Sequence, residues 1–188
     1  MKTFVPQLNH GFSLIEILVS MVVLVIGLLG FASLLVNSNK AEMESYQRVQ
    51  ALILLQDITD RINTNRKVAS CYVTLSASGV GTGYSGTPAC IAGSAEQQAR
   101  AVADLTAWND ALQGAAEAKG GANVGAMIGA RGCVAYDTVA EQYTVTVAWQ
   151  GLSDTAAPAA GLSCGDGLYG TNAKRRVVSN VLSIADLS

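Results

Sequence analysis

The chain has 188 residues, 14% of them charged and 50% hydrophobic, with a formal net charge of -2. That length suits one modest domain with an appendage, and neither the charge balance nor the 6% aromatic content makes a case for a nucleic-acid surface. A single histidine, His10, excludes a multi-histidine metal site and a Ser-His-Asp triad.

The hydrophobicity is concentrated at one end. Only Lys2 and Glu16 are charged among the first 36 residues. Ile17 to Val36 is a run of twenty residues broken only by Ser20 and Ser33. Twenty helical residues span ~30 Å, the thickness of a bilayer's hydrocarbon. A soluble-core helix of this length would carry a polar stripe, and none is visible. A secretory signal peptide has a shorter apolar region and an Ala-x-Ala-like cleavage site. Asn37-Ser38-Asn39-Lys40-Ala41-Glu42 offers no such site. The run therefore reads as one membrane-spanning helix, with Lys2 and the initiator amine giving a weak inside signal for the N-terminus.

Glu16 stands at the head of this run. An acidic residue at a membrane-helix centre costs about 2.5–3.5 kcal/mol, and less toward the end. Glu16 is therefore a candidate functional residue; the plain alternative is a carboxylate reaching the headgroups.

Gly11-Phe12-Ser13-Leu14-Ile15-Glu16, followed at once by the apolar run, resembles the prepilin peptidase signature of type IV pilins and pseudopilins. The resemblance implies a leader of residues 1–11, cleavage after Gly11 and N-methylation of Phe12. Glu16 becomes the fifth mature residue, the position this family reserves for glutamate. The resemblance further implies that, in a filament core of low dielectric, Glu16 of one subunit can pair with the Phe12 amine of a neighbour. An unpaired buried charge is heavily penalised, so such a pair sets axial register more than it adds stability. The leader departs mildly from the family, since Lys2 is its one strong base, with His10 near the cleavage point.

Gly27 and Gly30 interrupt the run, each costing about 1 kcal/mol of helix in water. They either permit close packing or loosening on assembly, or are ordinary membrane-helix glycines. Lys40 to Arg66 contains no Gly or Pro. Leu54, Leu55, Ile58 and Ile62 form a stripe there, broadened upstream by Met43, Tyr46 and Ile53, opposite a charged face. One helix from about Phe12 to Asn65 would be ~80 Å long. A membrane half (12–36) followed by an amphipathic half (37–66) resembles the pilin stem, with the stripe at 51–62 holding the head. The segments Tyr46–Ala51 and Asp57–Arg66, together with Ile26–Gly30, narrow the resemblance to the PilV-type minor pilins, the type IV pilus modification proteins.

The head occupies 67–188. Sixteen of the nineteen glycines fall here; Gly79–Pro88 reads as turns and Gly120–Asn123 as a loop. A second helix is expected at about Ala95–Ala118, with a Ser94/Gln97 capping box and a packing face of Val102, Leu105, Trp108 and Leu112. Cys133–Tyr136 reads as a short strand. Tyr143–Trp149 alternates, with Tyr143, Val145, Val147 and Trp149 on one face and a polar threonine face opposite. Residues 137–142 join the two as a hairpin, and a third strand is expected at 175–184. The fold class is α+β, an antiparallel sheet packed on the helical stem. Ala103-Asp104-Leu105…Trp108 and Val145–Trp149 also resemble the PilV-type head.

Cys71, Cys90, Cys133 and Cys164 all follow the membrane segment. No C-x-x-C and no nearby histidine suggest a metal site, and an even count in an exported head suggests two disulfides. Three connectivities exist; Cys71–Cys90 with Cys133–Cys164 is favoured, because it staples the two loop-rich regions. The resemblance implies that the second bounded loop forms exposed or subunit-contacting surface. Arg175-Arg176 reads as a solvated strand edge, with a DNA-contacting patch as the alternative.

No P-loop, G-x-S-x-G or paired-carboxylate motif is present, so neither enzyme activity nor a cofactor or metal is expected. The resemblance implies a minor pilin processed by prepilin peptidase. Its implied partners are other minor pilins, the major pilin, the inner membrane and a tip adhesin, with no nucleic acid. It would sit in the inner membrane by a single pass with a periplasmic head, then in the filament or at its tip. The alternatives are a type II secretion pseudopilin, or a tip adhesin or DNA-uptake minor pilin.

Overall fold

A computed structural model of the chain describes residues 11–74, 77–115, 118–120, 122–123 and 127–184. The leader with Lys2 and His10, and parts of the segments around 120 and 185, lie outside the described residues. The chain divides into two compact units, Met1–Glu42 and Met43–Ser188.

Helix α1 is Leu14–Thr64, close to the expected Phe12–Asn65. Its part in the first unit is exposed at every residue from Leu14 to Glu42, and its most apolar stretch has a mean hydropathy of 2.7. An added Cβ at Gly27 or Gly30 would meet nothing within 4 Å, so neither glycine serves a close approach inside the single chain.

In the second unit α1 buries Gln47, Ala51, Leu55, Ile58, Thr59 and Ile62. This row, at steps of three and four, carries the head. The expected broadening by Met43, Tyr46 and Ile53 is corrected: all three are about half exposed. At 100° per residue, Ile53 lies about 200° round the helix from both Ala51 and Leu55, on the opposite side. The stem thus keeps a second apolar face, Tyr46, Val49 and Ile53, uncovered in the single chain.

A 3₁₀ stretch, Arg66–Tyr72, leads into the head. Strand β1 (Val80–Gly81) lies within the segment expected to be turn-rich. Helix α2 is Ala95–Leu112, with the Ser94/Gln97 capping box in place. It ends six residues earlier than the expected Ala118. Gly114 has φ +80°, its N–H donates to Ala111 O, and the Ala115 N–H donates to Asp110 O. That pair of bonds is a Schellman termination, which a left-handed glycine makes favourable. Two short strands, β2 (Ala118–Lys119) and β3 (Ala122–Asn123), follow and pair where a loop was expected.

The main sheet has the order β1-β4-β5-β6 and is antiparallel throughout, with β4 at Arg131–Asp137, β5 at Gln142–Gln150 and β6 at Arg175–Ser183. The 137–142 hairpin closes through Asp137 Oδ1, which accepts the Val139 and Ala140 N–H groups at 2.8 and 3.0 Å. Bonds from Ala140 and then Val139 hold the Asp137 carboxyl below its ordinary pKa.

Val134, Val145, Val147 and Trp149 share the main core with the α1 row and with Leu105, Trp108 and Leu112 of α2. The Trp108 indole N–H donates to Leu54 O at 3.0 Å, tying α2 to α1. β4 passes directly over that ring. A Cβ at Gly132 would lie 2.2 Å from Trp108 Cη2. Gly132→Ala is expected to cost about 1–3 kcal/mol by overpacking, read as a lower thermal midpoint with altered Trp fluorescence.

The other sheet face departs from expectation. It is not an open threonine face: Cys133, Ala148, Cys164 and Tyr169 form a second core cluster on it, and Thr146 is only 4% exposed. Strand alternation marks which residues share a face; what covers that face is decided by a distant loop.

Candidate functional site

The site begins where helix α1 begins. Gly11, Phe12 and Ser13 precede the helix and are exposed, Phe12 at 81%. The Gly11–Phe12 bond therefore lies outside the helix. Ser13 acts as the N-terminal cap, its Oγ accepting the Glu16 N–H at 3.3 Å. Ser13-x-x-Glu16 is the S-x-x-E pattern of helix starts, a signal the motif reading passed over. It shows why the helix starts at Leu14, two residues after Phe12.

Glu16 falls in the first turn, where a carboxylate also complements the positive end of the helix dipole. Among the described residues it has no ion-pair partner. Its carbonyl accepts from Ser20 Oγ at 2.6 Å. Ser20, one of the two polar breaks in the run, is thus satisfied inside the helix.

In the head, disulfides join Cys71 to Cys90 and Cys133 to Cys164. The second closes a loop that folds back over the sheet. Arg175 fixes that loop: its guanidinium donates to Leu162 O and, at 3.1 Å, to Cys164 O, with Asn172 Oδ1 at 3.0 Å. Arg176 points the other way, donating to Ser153 O at 2.6 Å and approaching Glu44 Oε1 at 3.4 Å. The reading of Arg175-Arg176 as a solvated basic edge, or as a DNA patch, is corrected. Neighbours on a strand face opposite sides of the sheet, and both guanidinium groups are spent on loop carbonyls.

Glu44 of α1 is a clamp that sequence reasoning missed. Its Oε1 accepts the N–H groups of Leu152 and Ser153, both at 3.0 Å, and Ser153 Oγ at 2.8 Å. Burial pushes its carboxyl up, but the Ser153 bonds, the Arg176 charge and the Leu152 bond outweigh it and hold the pKa below its ordinary value. No local spacing signals this contact, because its partners lie 108 and more residues away.

A second polar knot ties α1 to α2. Asp104, 7% exposed, accepts Arg61 Nη1 at 2.9 Å and the Tyr72 hydroxyl at 2.6 Å. Asn65 Nδ2 donates to that hydroxyl at 3.3 Å and to Gln97 O at 3.0 Å. Burial, then the Asp104 bond, pushes the Tyr72 phenol up, so it stays a donor. Among the described residues no cluster of His, Cys, Asp and Glu could hold a metal ion.

A capped helix start follows an exposed Gly-Phe bond, with a carboxylate in the first turn and an exposed apolar helix beyond. The chain carries the prokaryotic N-terminal methylation motif, matched over residues 7–32. That motif is typical of type IV pilin-like proteins and implies prepilin-peptidase processing and pilin-type partners in general. With the apolar helix it fits membrane anchoring. The α+β arrangement, a long N-terminal helix with a four-stranded antiparallel sheet, is consistent with the pilin fold. No curated protein and no solved structure matches the chain.

Proposed function

We propose that this chain is a minor pilin of the PilV type. It enters the inner membrane by one pass with its head in the periplasm, is cut after Gly11 by prepilin peptidase, and is N-methylated on Phe12. It then joins other minor pilins and the major pilin to prime assembly of a type IV pilus or to occupy its tip, where a tip adhesin is a further partner. Pilus biogenesis and twitching motility follow from that role, which is structural and involves no catalysis, cofactor or nucleic acid.

One observation carries the reading: the exposed Gly11–Phe12 bond and Glu16 directly precede an apolar helical run that is exposed at every described residue. Such a surface needs a bilayer before assembly and neighbouring helices after it. The second uncovered face, Tyr46, Val49 and Ile53, extends the same need into the stem. The PilV assignment is supported by the stem and head segments that resemble that subfamily.

Mass spectrometry of the chain from its host is expected to find N-methyl-Phe12 as the mature N-terminus. An intact Met1, or cleavage beyond Val36, would sink the reading. Glu16→Ala is expected to be processed normally and to fall at least tenfold in sheared filaments; normal incorporation would refute the pairing role. Deleting the gene should abolish or reduce surface piliation and leave type II secretion intact, and the reverse result would assign a pseudopilin.

A further inference from the structure

We propose that the free edge of β6 is a docking site for an extended, uncharged segment of another protein chain, which adds as a further strand to the main sheet. β6 is the last strand in the order β1-β4-β5-β6, so it has a neighbour on one side only. In an antiparallel pair, alternate residues turn both N–H and C=O toward the same neighbour. The phase is set just before β6 begins. The Gly151 N–H donates to Lys174 O at 2.8 Å, continuing the ladder with β5, while Ala173 O accepts the Thr155 N–H at 2.9 Å on the other side. Even-numbered residues of β6 therefore face β5, and Val177, Ser179, Val181 and Ser183 turn their N–H and C=O groups outward. Among the described residues, none of these outward groups has a hydrogen-bond partner.

The edge is also undefended. Native sheets blunt an edge with Lys, Pro, a bulge or a very short strand. At the opposite edge, β1 is two residues long. β6 is nine residues long and keeps an unbroken register with β5. From Val177 to Ser183 it holds no charge and no proline. Val178 and Leu182 are half-buried against the main core, and Val177 packs on the second cluster, so an added strand would extend both faces of the sheet.

In strand addition the backbone ladder gives affinity and alternate side chains give selectivity. Residues of the added strand that lie beside Val178 and Leu182 are therefore apolar. The edge offers no charge for a charged segment to pair with. Arg175 and Arg176 at its start are already taken by Leu162, Cys164, Ser153 and Glu44. In a closed pair of two copies, the β6 strands would run antiparallel about a two-fold axis normal to the sheet. The stem lies along the inner face, where Ala51, Leu55, Ile58 and Ile62 share the core with Val145 and Val147. That axis would point the two stems in opposite directions, and copies held by their N-terminal helices in one bilayer cannot meet that way. The choice of a different chain rests on the membrane-anchored reading; the open edge does not.

The test uses the full chain in detergent and a synthetic seven-residue peptide of alternating valine and threonine. The peptide is N-methylated at every second residue, so that one of its edges can hydrogen-bond; a control is N-methylated throughout. The first peptide is expected to be retained and the control to bind at least tenfold more weakly. Residue-resolved hydrogen exchange should show the Val177, Ser179, Val181 and Ser183 amides slowed at least tenfold by the peptide, with their even-numbered neighbours unchanged. Val181→Pro removes one outward N–H at a kind of position where edge strands tolerate proline, and should weaken binding at least fivefold. The exchange pattern needs no variant, so it decides the matter if Val181→Pro fails to fold. No retention, equal binding of the two peptides, no slowing at the odd-numbered amides, or a folded Val181→Pro that binds as the parent does would overturn the proposal. Odd-numbered amides already protected in the free chain, and deprotected on dilution, would make a second copy the occupant and overturn the choice of partner. A chain that binds the peptide but keeps Met1 in its host would overturn the processing reading and leave the edge assignment standing.

Discussion

Asp104→Ala is expected to lower the head's unfolding free energy by about 3 kcal/mol, from the loss of a buried, hydrogen-bonded carboxylate. The change strands two donors at once. The Tyr72 hydroxyl, on a fully buried side chain, loses its 2.6 Å acceptor. Arg61 loses one of its two carboxylates and keeps Asp57 at 2.9 Å. The Arg61 side chain is 35% exposed, so solvent and Asp57 compensate part of the loss; hence about 3 kcal/mol rather than the 5 at the top of the range for buried pairs. Asp104→Asn keeps an acceptor for Tyr72 and should cost about 1 kcal/mol. Thermal unfolding of the full chain in detergent should place Asp104→Ala roughly 6–12 °C below the parent. A shift under about 1 °C would mean that the knot carries no stability.

The same residue shows where local sequence stops being informative. Periodicity places Val102, Leu105, Trp108 and Leu112 on the packing face of α2 because apolar spacing is a local property, and the structure buries the last three and leaves Val102 half-buried. Asp104, one residue before Leu105, shares that face, and its burial depends on Arg61 and Tyr72, 43 and 32 residues away. The end of α2 was misplaced for a simpler reason. The Ala-rich stretch after Leu112 favours helix, while Gly114 stops it through a backbone conformation that apolar periodicity does not register.

The sheet teaches the same distinction. Alternation in Tyr143–Trp149 identified the two faces of β5, and Val145, Val147 and Trp149 pack inward with the main core. It could not reveal that a loop returning from beyond residue 160 covers the other face, nor that Arg175 would be consumed in holding that loop. At the N-terminus the opposite holds. The expected cleavage point, the cap, the carboxylate and the apolar run are all contiguous, so this candidate site is set by local sequence from Gly11 to Val36, within and beside the matched motif at residues 7–32. Glu44 is the counter-example on the same helix: a lone carboxylate whose meaning is set entirely by Leu152, Ser153 and Arg176.

Removing the second disulfide by Cys133→Ala with Cys164→Ala is expected to cost about 3–4 kcal/mol, the chain-entropy value for a loop of this size. The two cysteines are 31 residues apart, against 19 for Cys71 and Cys90. Loop length enters only logarithmically, so the two bonds should differ by less than about 0.5 kcal/mol in that model. The consequences in the native state separate them. Without the Cys133–Cys164 bond, the loop is still held by Arg175 on the Leu162 and Cys164 carbonyls, by Glu44 on Leu152 and Ser153, and by the Tyr169 hydroxyl on Gly129 O. Those contacts keep the loop in place while the head is folded, but they do nothing to restrict the unfolded chain. The variant should therefore unfold at a clearly lower denaturant midpoint, yet below that midpoint resist proteolysis between 151 and 164 almost as well as the parent. Rapid nicking there under native conditions would mean that the disulfide, rather than Arg175 and Glu44, positions the loop over the sheet. A loss of stability under about 1 kcal/mol would mean that the unfolded chain is already compact in this region.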